Sequence, residues 1–220
     1  MQVPESLDAE KRLAAESAAA IVEDGMRVGL GSGSTVAFLL TALAARRLDI
    51  VCVATSAATE TTGRAHGLRI EPFDRLDRLD IAIDGADQVA SDFWLVKGGG
   101  GAHTREKIVA AAADRFVVIV SHDKLVEVVG GPVPMELLGF GLEATLKALT
   151  ALGECRLRGV APSPDGGVIA DLYGELGDPV AMSARLSGTP GVIGHGLFPP
   201  ALVHEVVVAR AGGVEHLIRH

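Results

Sequence analysis

Short apolar runs alternate with helical patterns along the first part of the chain, up to about residue 125. The runs "MRVGL", "DIVCVATS" and "RFVVIVS" have no polar face, as is typical of strands covered on both sides, and another strand ends near Ile83. Strands and helices in this order predict parallel pairing with right-handed crossovers, and therefore an α/β fold with a doubly wound sheet. The predicted helices are Leu7–Asp24, closed by Gly25, and Ser34–Arg47, Thr59–His66 and Thr104–Ala113.

The pattern changes at residues 129–141, where glycine and proline cluster. Beyond this point the sequence predicts helices over Leu142–Leu152 and Pro179–Leu186, polar strands and a turn at "SPDGG". The last apolar run, "HEVVVARAGG", resembles a buried parallel strand and is expected to return to the large sheet. The predicted domains are a large one of residues 1–130 and 204–220 and a small α+β one of residues 131–203.

Composition narrows the class of protein. Hydrophobic residues make up 48% of the chain and aromatic residues 4%, so the core is built mostly from Ala, Val, Leu and Ile. The net charge of −8 and the lack of a basic stripe argue against nucleic-acid binding, and no apolar run can cross a bilayer. We read Cys52 and Cys155 as buried free thiols, and the scattered histidines show no metal-site spacing. With no leader segment visible in "MQVPESLDAEKR", these features predict a cytoplasmic protein without a metal or membrane partner.

Small, hydroxyl and charged residues follow the predicted strands. In open α/β sheets the ligand lies beyond the carboxyl ends of the strands, so these residues are the candidates for a site. The sequence predicts that five such strand ends line one face of one sheet. In chain order they are "GLGSGST", "ATSAAT", "DGAD", "KGGGG" and "SHDK".

The segment "GLGSGST" resembles a dinucleotide fingerprint, but Ser34 replaces its third glycine. The second strand ends in Ala54, Thr55 and Ser56 and so lacks the acid that binds a ribose hydroxyl, which disfavours NAD. Two interpretations remain: a phosphate site at a helix N-terminus, or simple capping of that helix by Ser34.

Two acids, Asp84 and Asp87, follow an apolar strand and can exchange protons with hydroxyl groups, coordinate a metal or cap a turn. Thr104 is the predicted N-cap of a helix, so Glu106 is predicted in its first turn. There it is either a catalytic base or an acid that stabilises the helix dipole. Lys97 and the glycine run after it favour the functional interpretation. The adjacent Ser, His and Asp of "SHDK" do not predict a catalytic triad, because sequence neighbours point in different directions.

These motifs, together with "LVKGGGGAHTREKIV", "SHDKLVEVVGGPVPMEL" and "GVIGHGLF", resemble ribose-5-phosphate isomerases of the A type over essentially the whole chain. The resemblance implies a Rossmann-like domain with a small ferredoxin-like insertion, assembled as a homodimer or higher homo-oligomer. It also implies interconversion of D-ribose 5-phosphate and D-ribulose 5-phosphate through an enediolate, in the non-oxidative pentose phosphate pathway, without metal or redox cofactor.

The resemblance also implies roles for single residues. Glu106 is the expected base between C2 and C1, Asp84 and Asp87 serve ring opening and hydroxyl proton transfer, and Lys97 offsets developing negative charge. The residues expected to bind substrate are Lys11, Ser32, Gly33, Ser34, Thr35, Gly85, Ala86, Gly98, Gly99, Gly100 and Lys124.

Three positions depart from the usual pattern of these isomerases. Ser32 replaces threonine but keeps a hydroxyl, and Gln88 replaces glutamate. His103 replaces an apolar residue and is either a titrating neighbour of Glu106 or an exposed, inert side chain. Two other functional classes stay open: a sugar-phosphate sensor without catalysis, and another enzyme of related fold, such as an amino-sugar phosphate isomerase or a CoA transferase.

Overall fold

The computed structural model describes residues 7–210 and 213–219. The helices are α1 (Leu7–Ile21), α2 (Ser34–Arg46), α3 (Ala57–Ala65), α4 (His103–Ala111), α5 (Leu142–Leu149) and α6 (Pro179–Ser187). The strands are β1 (Arg27–Leu30), β2 (Val51–Ala54), β3 (Arg69–Ile70), β4 (Ile81–Asp84), β5 (Gln88–Ala90), β6 (Leu95–Val96), β7 (Phe116–Ser121), β8 (Leu125–Val126), β9 (Val133–Leu137), β10 (Glu154–Leu157), β11 (Val168–Tyr173), β12 (Val192–His195), β13 (Leu197–Phe198), β14 (Glu205–Arg210) and β15 (Gly213–Ile218).

The chain divides into two units. Unit 1 comprises residues up to Ala86, then Arg105–Leu125 and the residues from Ala201 onward, and unit 2 comprises Asp87–Thr104 and Val126–Pro200. This division differs from the predicted domains chiefly at residues 87–104, which belong to unit 2. The reason is local pairing: β5 and β6 form an antiparallel hairpin, and β13 adds to β6 on its other side.

Unit 1 is built on a seven-stranded sheet in the order β15-β14-β7-β4-β1-β2-β3. All pairs are parallel except β14 with β15, so the predicted doubly wound sheet is confirmed. The chain runs outward from β1 through β2 to β3 and then resumes at β4 on the other side of β1. The strand order therefore reverses between β1 and β4, which is where folds of this kind bind their ligands.

Small side chains let helices approach closely in the core of unit 1. α1 buries an alanine face against α2, whose Leu39, Leu40 and Leu43 are almost fully buried. The predicted return of the last apolar run is also confirmed, because β14 lies beside β7 with residues 206–209 fully buried. β15, which the sequence pattern did not predict, closes this edge of the sheet as a hairpin partner of β14.

Unit 2 carries an antiparallel sheet in the order β10-β11-β9-β12. Its elements follow one another as β9, α5, β10, β11, α6 and β12, which is the split βαβ arrangement of the ferredoxin-like fold. Met135, Leu137, Leu149, Leu172 and Leu186 are among the buried residues of its core. A second sheet, in the order β13-β6-β5-β8, completes the unit.

Two features predicted from the pattern are corrected by the structure. The strand before "KGGGG", β6, lies in the second sheet of unit 2, so the five predicted strand ends do not belong to one sheet. A two-residue strand that pairs within a hairpin cannot extend across the large sheet. α1 also ends at Ile21 rather than Asp24. Within the described residues, no helix is long and apolar enough to span a bilayer.

Candidate active site

Asp84 is a buried charge at the point in unit 1 where the strand order reverses. It ends β4 with 3% of its surface exposed. Its Oδ1 accepts hydrogen bonds from the backbone N–H groups of Ser32, at 3.0 Å, and Gly85, at 2.7 Å. A Cβ atom on Gly31 would lie 1.8 Å from the Asp84 carboxyl carbon, so only glycine allows this approach. Backbone donors thus fix the carboxylate beside the end of β1.

Residues Gly31–Gly33, which we call the serine-glycine loop, lead from β1 into α2. Gly33 is the N-cap, with φ of 99°, and within the described part of the chain no side-chain hydrogen bond caps this helix. The predicted capping by Ser34 is therefore wrong, because Ser34 is already the first helical residue. The Ser32 hydroxyl instead lies 2.9 Å from the Thr55 hydroxyl at the end of β2. An uncapped helix N-terminus with nearby hydroxyl groups suits an anion.

Glu106 lies in the first turn of α4, as predicted, with 6% of its surface exposed. The helix begins at His103, so the predicted N-cap role of Thr104 is wrong. One turn after Glu106, Val109 packs over Gly29 of β1, where an added Cβ would lie 2.4 Å from Val109 Cγ1. Because helices of a doubly wound fold run antiparallel to their strands, this contact directs Glu106 toward the carboxyl end of β1.

Lys107, the residue after Glu106 on α4, is partly shielded from water. Burial lowers the pKa of its ammonium group to about 8, because a charged group loses its hydration there. The Lys107 ammonium group therefore lies where water is partly excluded. Electrostatic interactions are stronger in such surroundings than in open solvent.

The turn after β7 carries Lys124, whose Nζ lies 3.1 Å from a carboxylate oxygen of Asp123. Burial would raise the pKa of Asp123, but hydrogen bonds from Ser121 and Lys124 outweigh it and lower that pKa. His122 lies on Glu10 of α1, with Nδ1 to Oε2 at 2.7 Å. Ser121 and His122 thus have different acidic partners, and "SHDK" forms no triad. Glu10, only 2% exposed, was not predicted as part of the site.

Lys11, the residue after Glu10, donates to Asp8 at 3.0 Å on α1 itself. Thr55 was named only as part of a strand end, although its hydroxyl contacts Ser32. Thr55 could have been found from the order of the strands. Because β2 lies beside β1 in the sheet, the residues that follow these two strands are neighbours.

Unit 2 holds the second group of predicted residues, on Gly98–Gly101, which we call the glycine turn. Gly98 and Gly101 have φ values of 107° and 74°, and the Gly101 N–H donates to the Gly98 carbonyl at 3.0 Å. The Gly99 N–H donates to Asp87 Oδ2 at 2.8 Å, and Asp87 is itself exposed. The turn therefore holds one of the two predicted acids by its backbone.

Lys97 and His103 are both buried in unit 2, at 3% and 0% exposure. The Lys97 Nζ lies 5.4 Å from the centre of the Phe198 ring, within the range of a cation–π contact. His103 is not the exposed side chain that was one of its two predicted interpretations. A Cβ on Gly98 would lie 2.6 Å from His103 Nδ1, so the buried ring requires glycine at this position.

The structure thus places the predicted residues in two groups. In unit 1, Ser32, Asp84 and Gly85 share hydrogen bonds. In unit 2, Asp87 and the glycine turn do so. Among the described residues, no group of three or more His, Cys, Asp or Glu side chains could hold a metal ion. The roles assigned to individual residues remain predictions.

Comparison with known proteins adds the family context. The family model of ribose 5-phosphate isomerase A (phosphoriboisomerase A) matches residues 51–213. The ribose-5-phosphate isomerase A of Gloeobacter violaceus is 44% identical over 223 residues, covering 96% of each chain. The crystal structure of ribose 5 phosphate isomerase A from Neisseria gonorrhoeae has a TM-score of 0.94 at 30% identity and covers 98% of this chain and 99% of that one.

A further solved structure is D-ribose-5-phosphate isomerase in complex with phospho-erythronic acid. It has a TM-score of 0.92 at 33% identity, and the match covers 98% of this chain and all of that one, at 100%. These matches extend over nearly the whole of both units and of each relative. They agree with the fold described above.

Proposed function

Because this chain belongs to the ribose 5-phosphate isomerase A family and interconverts D-ribose 5-phosphate and D-ribulose 5-phosphate, we propose that Glu106 carries the proton between C2 and C1. The observation that supports this role is the place of Glu106. It lies nearly buried in the first turn of α4, on the helix that packs over β1 through Val109. Its carboxylate is thereby directed to the end of the sheet where ligands of such folds bind.

The proposed reaction balances without electrons entering or leaving the sugar. Glu106 takes the proton from C2 of the open-chain aldose, a C1–C2 double bond forms, and the former carbonyl oxygen O1 takes the negative charge. The proton of the C2 hydroxyl then passes to O1, and return of the first proton to C1 gives the ketose. General base catalysis of this kind contributes about a hundred- to ten-thousandfold.

Stabilisation of the oxyanion is assigned to unit 2. Lys97 supplies an ammonium group, and the N–H groups of Gly98 and Gly100 supply donors with no side chain in the way, while the Gly99 N–H holds Asp87. Each well-placed donor is worth roughly 3 kcal/mol when it meets charge that develops in the transition state. Support for this assignment comes from the burial of Lys97 and the fixed backbone of the glycine turn.

The two acids are assigned to the hydroxyl protons and to ring opening. Asp84 suits such work because two backbone N–H groups hold its carboxylate in place, at 3.0 and 2.7 Å. Asp87 is exposed and accepts from the Gly99 N–H, which leaves its other oxygen available for a sugar hydroxyl. Gly85 and Ala86 join these acids in the chain and are expected to contact the sugar.

The phosphate group is assigned to the uncapped N-terminus of α2 and its flanking hydroxyl groups, on Ser32, Ser34 and Thr35, with Gly33 allowing close approach. Lys124 and Lys11 are proposed to add positive charge, which the acidic chain otherwise lacks. We also propose a cytoplasmic homodimer or higher homo-oligomer. The two free cysteines are consistent with a reducing compartment.

The alternative classes of function are set aside. A relative that matches 96% of this chain is named an isomerase. This match disfavours both a sensor without catalysis and a CoA transferase. An amino-sugar phosphate isomerase conflicts with the same matches.

The proposal is tested by turnover of the purified protein in a chelating buffer. We expect interconversion of the two pentose phosphates without added metal, and competitive inhibition by phospho-erythronic acid, whose carboxylate beside a hydroxyl resembles the enediolate. Activity that disappears in chelator and returns with a divalent ion would overturn the metal-free proton transfer. Light scattering of the same sample measures the assembly, and a monomer would contradict the proposed homo-oligomer.

A further inference from the structure

Arg158 lies directly after β10 and contacts the glycine turn, although it is 59 to 60 residues away in the chain. Its Nη1 donates to two carbonyl oxygens, those of Gly98 at 2.9 Å and Gly99 at 3.0 Å. The guanidinium group is itself held by Asp171 of β11 through two hydrogen bonds, of 2.7 and 2.6 Å. Only 19% of the Arg158 side chain is exposed, so the contact is largely shielded from solvent.

The geometry of the peptide bond shows which way the N–H groups of the glycine turn point. In a trans peptide the C=O and N–H groups point in opposite directions. Since the carbonyls of Gly98 and Gly99 point toward Arg158, the N–H groups of Gly99 and Gly100 point away from it. The Gly99 N–H meets Asp87 Oδ2 on that far side, at 2.8 Å. The Gly100 N–H therefore faces the same side of the turn as Asp87.

We propose that Arg158 is a positioning residue for the isomerase reaction, which keeps the Gly99 N–H on Asp87 and the Gly100 N–H toward the substrate by holding the carbonyls on the opposite face of the glycine turn. This inference rests on the proposed roles of Asp87 toward the sugar hydroxyls and of the Gly100 N–H toward the substrate oxyanion. Glycine has the widest choice of backbone conformations, so a turn of consecutive glycines needs an external contact to stay in one of them. Arg158 and Asp171 provide that contact.

The geometry requires arginine rather than any cation. The guanidinium group presents a rigid fork of donors, so it binds both oxygens of Asp171 and two carbonyls at once. A lysine ammonium is a compact charge without this fork. Lys at position 158 can keep the ion pair with Asp171 but not the full set of contacts.

The test compares Arg158→Gln and Arg158→Lys with Arg156→Gln by steady-state kinetics. Arg156 is a matched control, since it lies on β10 two residues before Arg158 and has a bidentate carboxylate partner, Glu154, and more than half of its side chain is exposed. We expect kcat to fall about ten- to a hundredfold in both Arg158 variants, since donors are misaligned rather than removed. KM should stay within about threefold, and Arg156→Gln should match wild type. A kcat within about threefold of wild type in both Arg158 variants would overturn the proposal.

A double variant separates positioning from general loss of structure. If Arg158 acts through the turn, adding Arg158→Gln to Gly100→Ala should cost less than the product of the two single losses in kcat. Losses that multiply in full would refute action through the turn. If Arg158→Gln does not fold, Arg158→Lys serves in the same cycle. Lack of turnover by wild type would instead refute the proposed function on which this inference rests.

Discussion

The serine-glycine loop and the glycine turn are both rich in glycine, yet their glycines meet different requirements. In the serine-glycine loop, Gly31 is needed so that the Asp84 carboxylate can approach the backbone, because the carboxylate occupies the space that any side chain would fill. In the glycine turn, Gly98 is needed for both its conformation and its space, because its φ is 107° and the His103 ring packs against it. Gly100 meets neither requirement, since an added Cβ would contact nothing within 4 Å.

This difference separates residues that shape the protein from residues that face a ligand. Where a glycine is explained by a neighbour in the folded chain, its replacement acts on stability as well as activity. Where no neighbour explains a glycine of a proposed substrate loop, the reason we propose is the approach of a substrate to the backbone. Within the glycine turn, Gly100 is therefore the glycine for which we propose contact with the substrate.

The largest effect is expected at the serine-glycine loop, from Gly31→Ala. The added methyl group would overlap the Asp84 carboxyl group at 1.8 Å, so the carboxylate must move off its two N–H donors. We expect kcat to fall at least about a hundredfold and the free energy of unfolding to fall by about 1–3 kcal/mol. The measurements are steady-state kinetics and urea unfolding.

Adding Asp84→Ala to Gly31→Ala provides the control. The double variant should regain much of the lost stability, because the overlap is gone, but none of the activity. A Gly31→Ala protein as stable and active as wild type would show that Asp84 does not require glycine at position 31.

The next effect compares two positions within the glycine turn. Gly98→Ala should lower the free energy of unfolding by about 1–3 kcal/mol, through its positive φ and its overlap with His103. Gly100→Ala should change it by less than about 0.5 kcal/mol and still reduce kcat about tenfold. Thermal unfolding and kinetics on the two variants check this. Equal stability of both variants, or full activity of Gly100→Ala, would contradict the proposed difference between Gly98 and Gly100.

The smallest effect concerns Glu205, a buried carboxylate of unit 1 outside both glycine segments. Burial would raise its pKa, but hydrogen bonds from His216 and Arg115 outweigh that and lower it. The contribution of Glu205 to stability is therefore present above its unfolded pKa of about 4.3 and is lost as pH falls through the lower folded value. Urea unfolding between pH 6 and pH 3 should show Glu205→Gln losing less stability than wild type as the pH falls. Identical pH profiles would contradict the lowered pKa.

The sequence predicts the parallel sheet well because each of its buried strands is a run of apolar residues, such as Phe116–Ser121, with a helix between it and the next. It also locates Asp84 and Glu106, since both lie at ends of regular elements. The sequence predicts a strand before "KGGGG" but not which sheet this strand, β6, joins, because two residues carry no periodicity. Arg158 could not be found, because its contact with the glycine turn depends on how unit 2 folds.

Burial of His103 shows the same limit. A histidine in "GGAHTRE" looks exposed in the sequence, and only the packing of its ring against Gly98 puts it inside. The starts of α2 and α4 also differ from the predicted N-caps, because Gly33 and not a polar side chain is the N-cap of α2, and α4 begins at His103, before Thr104.

The most direct test of the central claim is the turnover number of Glu106→Gln in chelating buffer, measured beside its affinity for phospho-erythronic acid. Glutamine keeps the shape of the side chain but cannot accept the C2 proton. We predict that kcat falls at least about a hundredfold while the inhibitor still binds within about threefold of its wild-type affinity. A variant that keeps more than about a tenth of wild-type turnover would contradict proton transfer by Glu106.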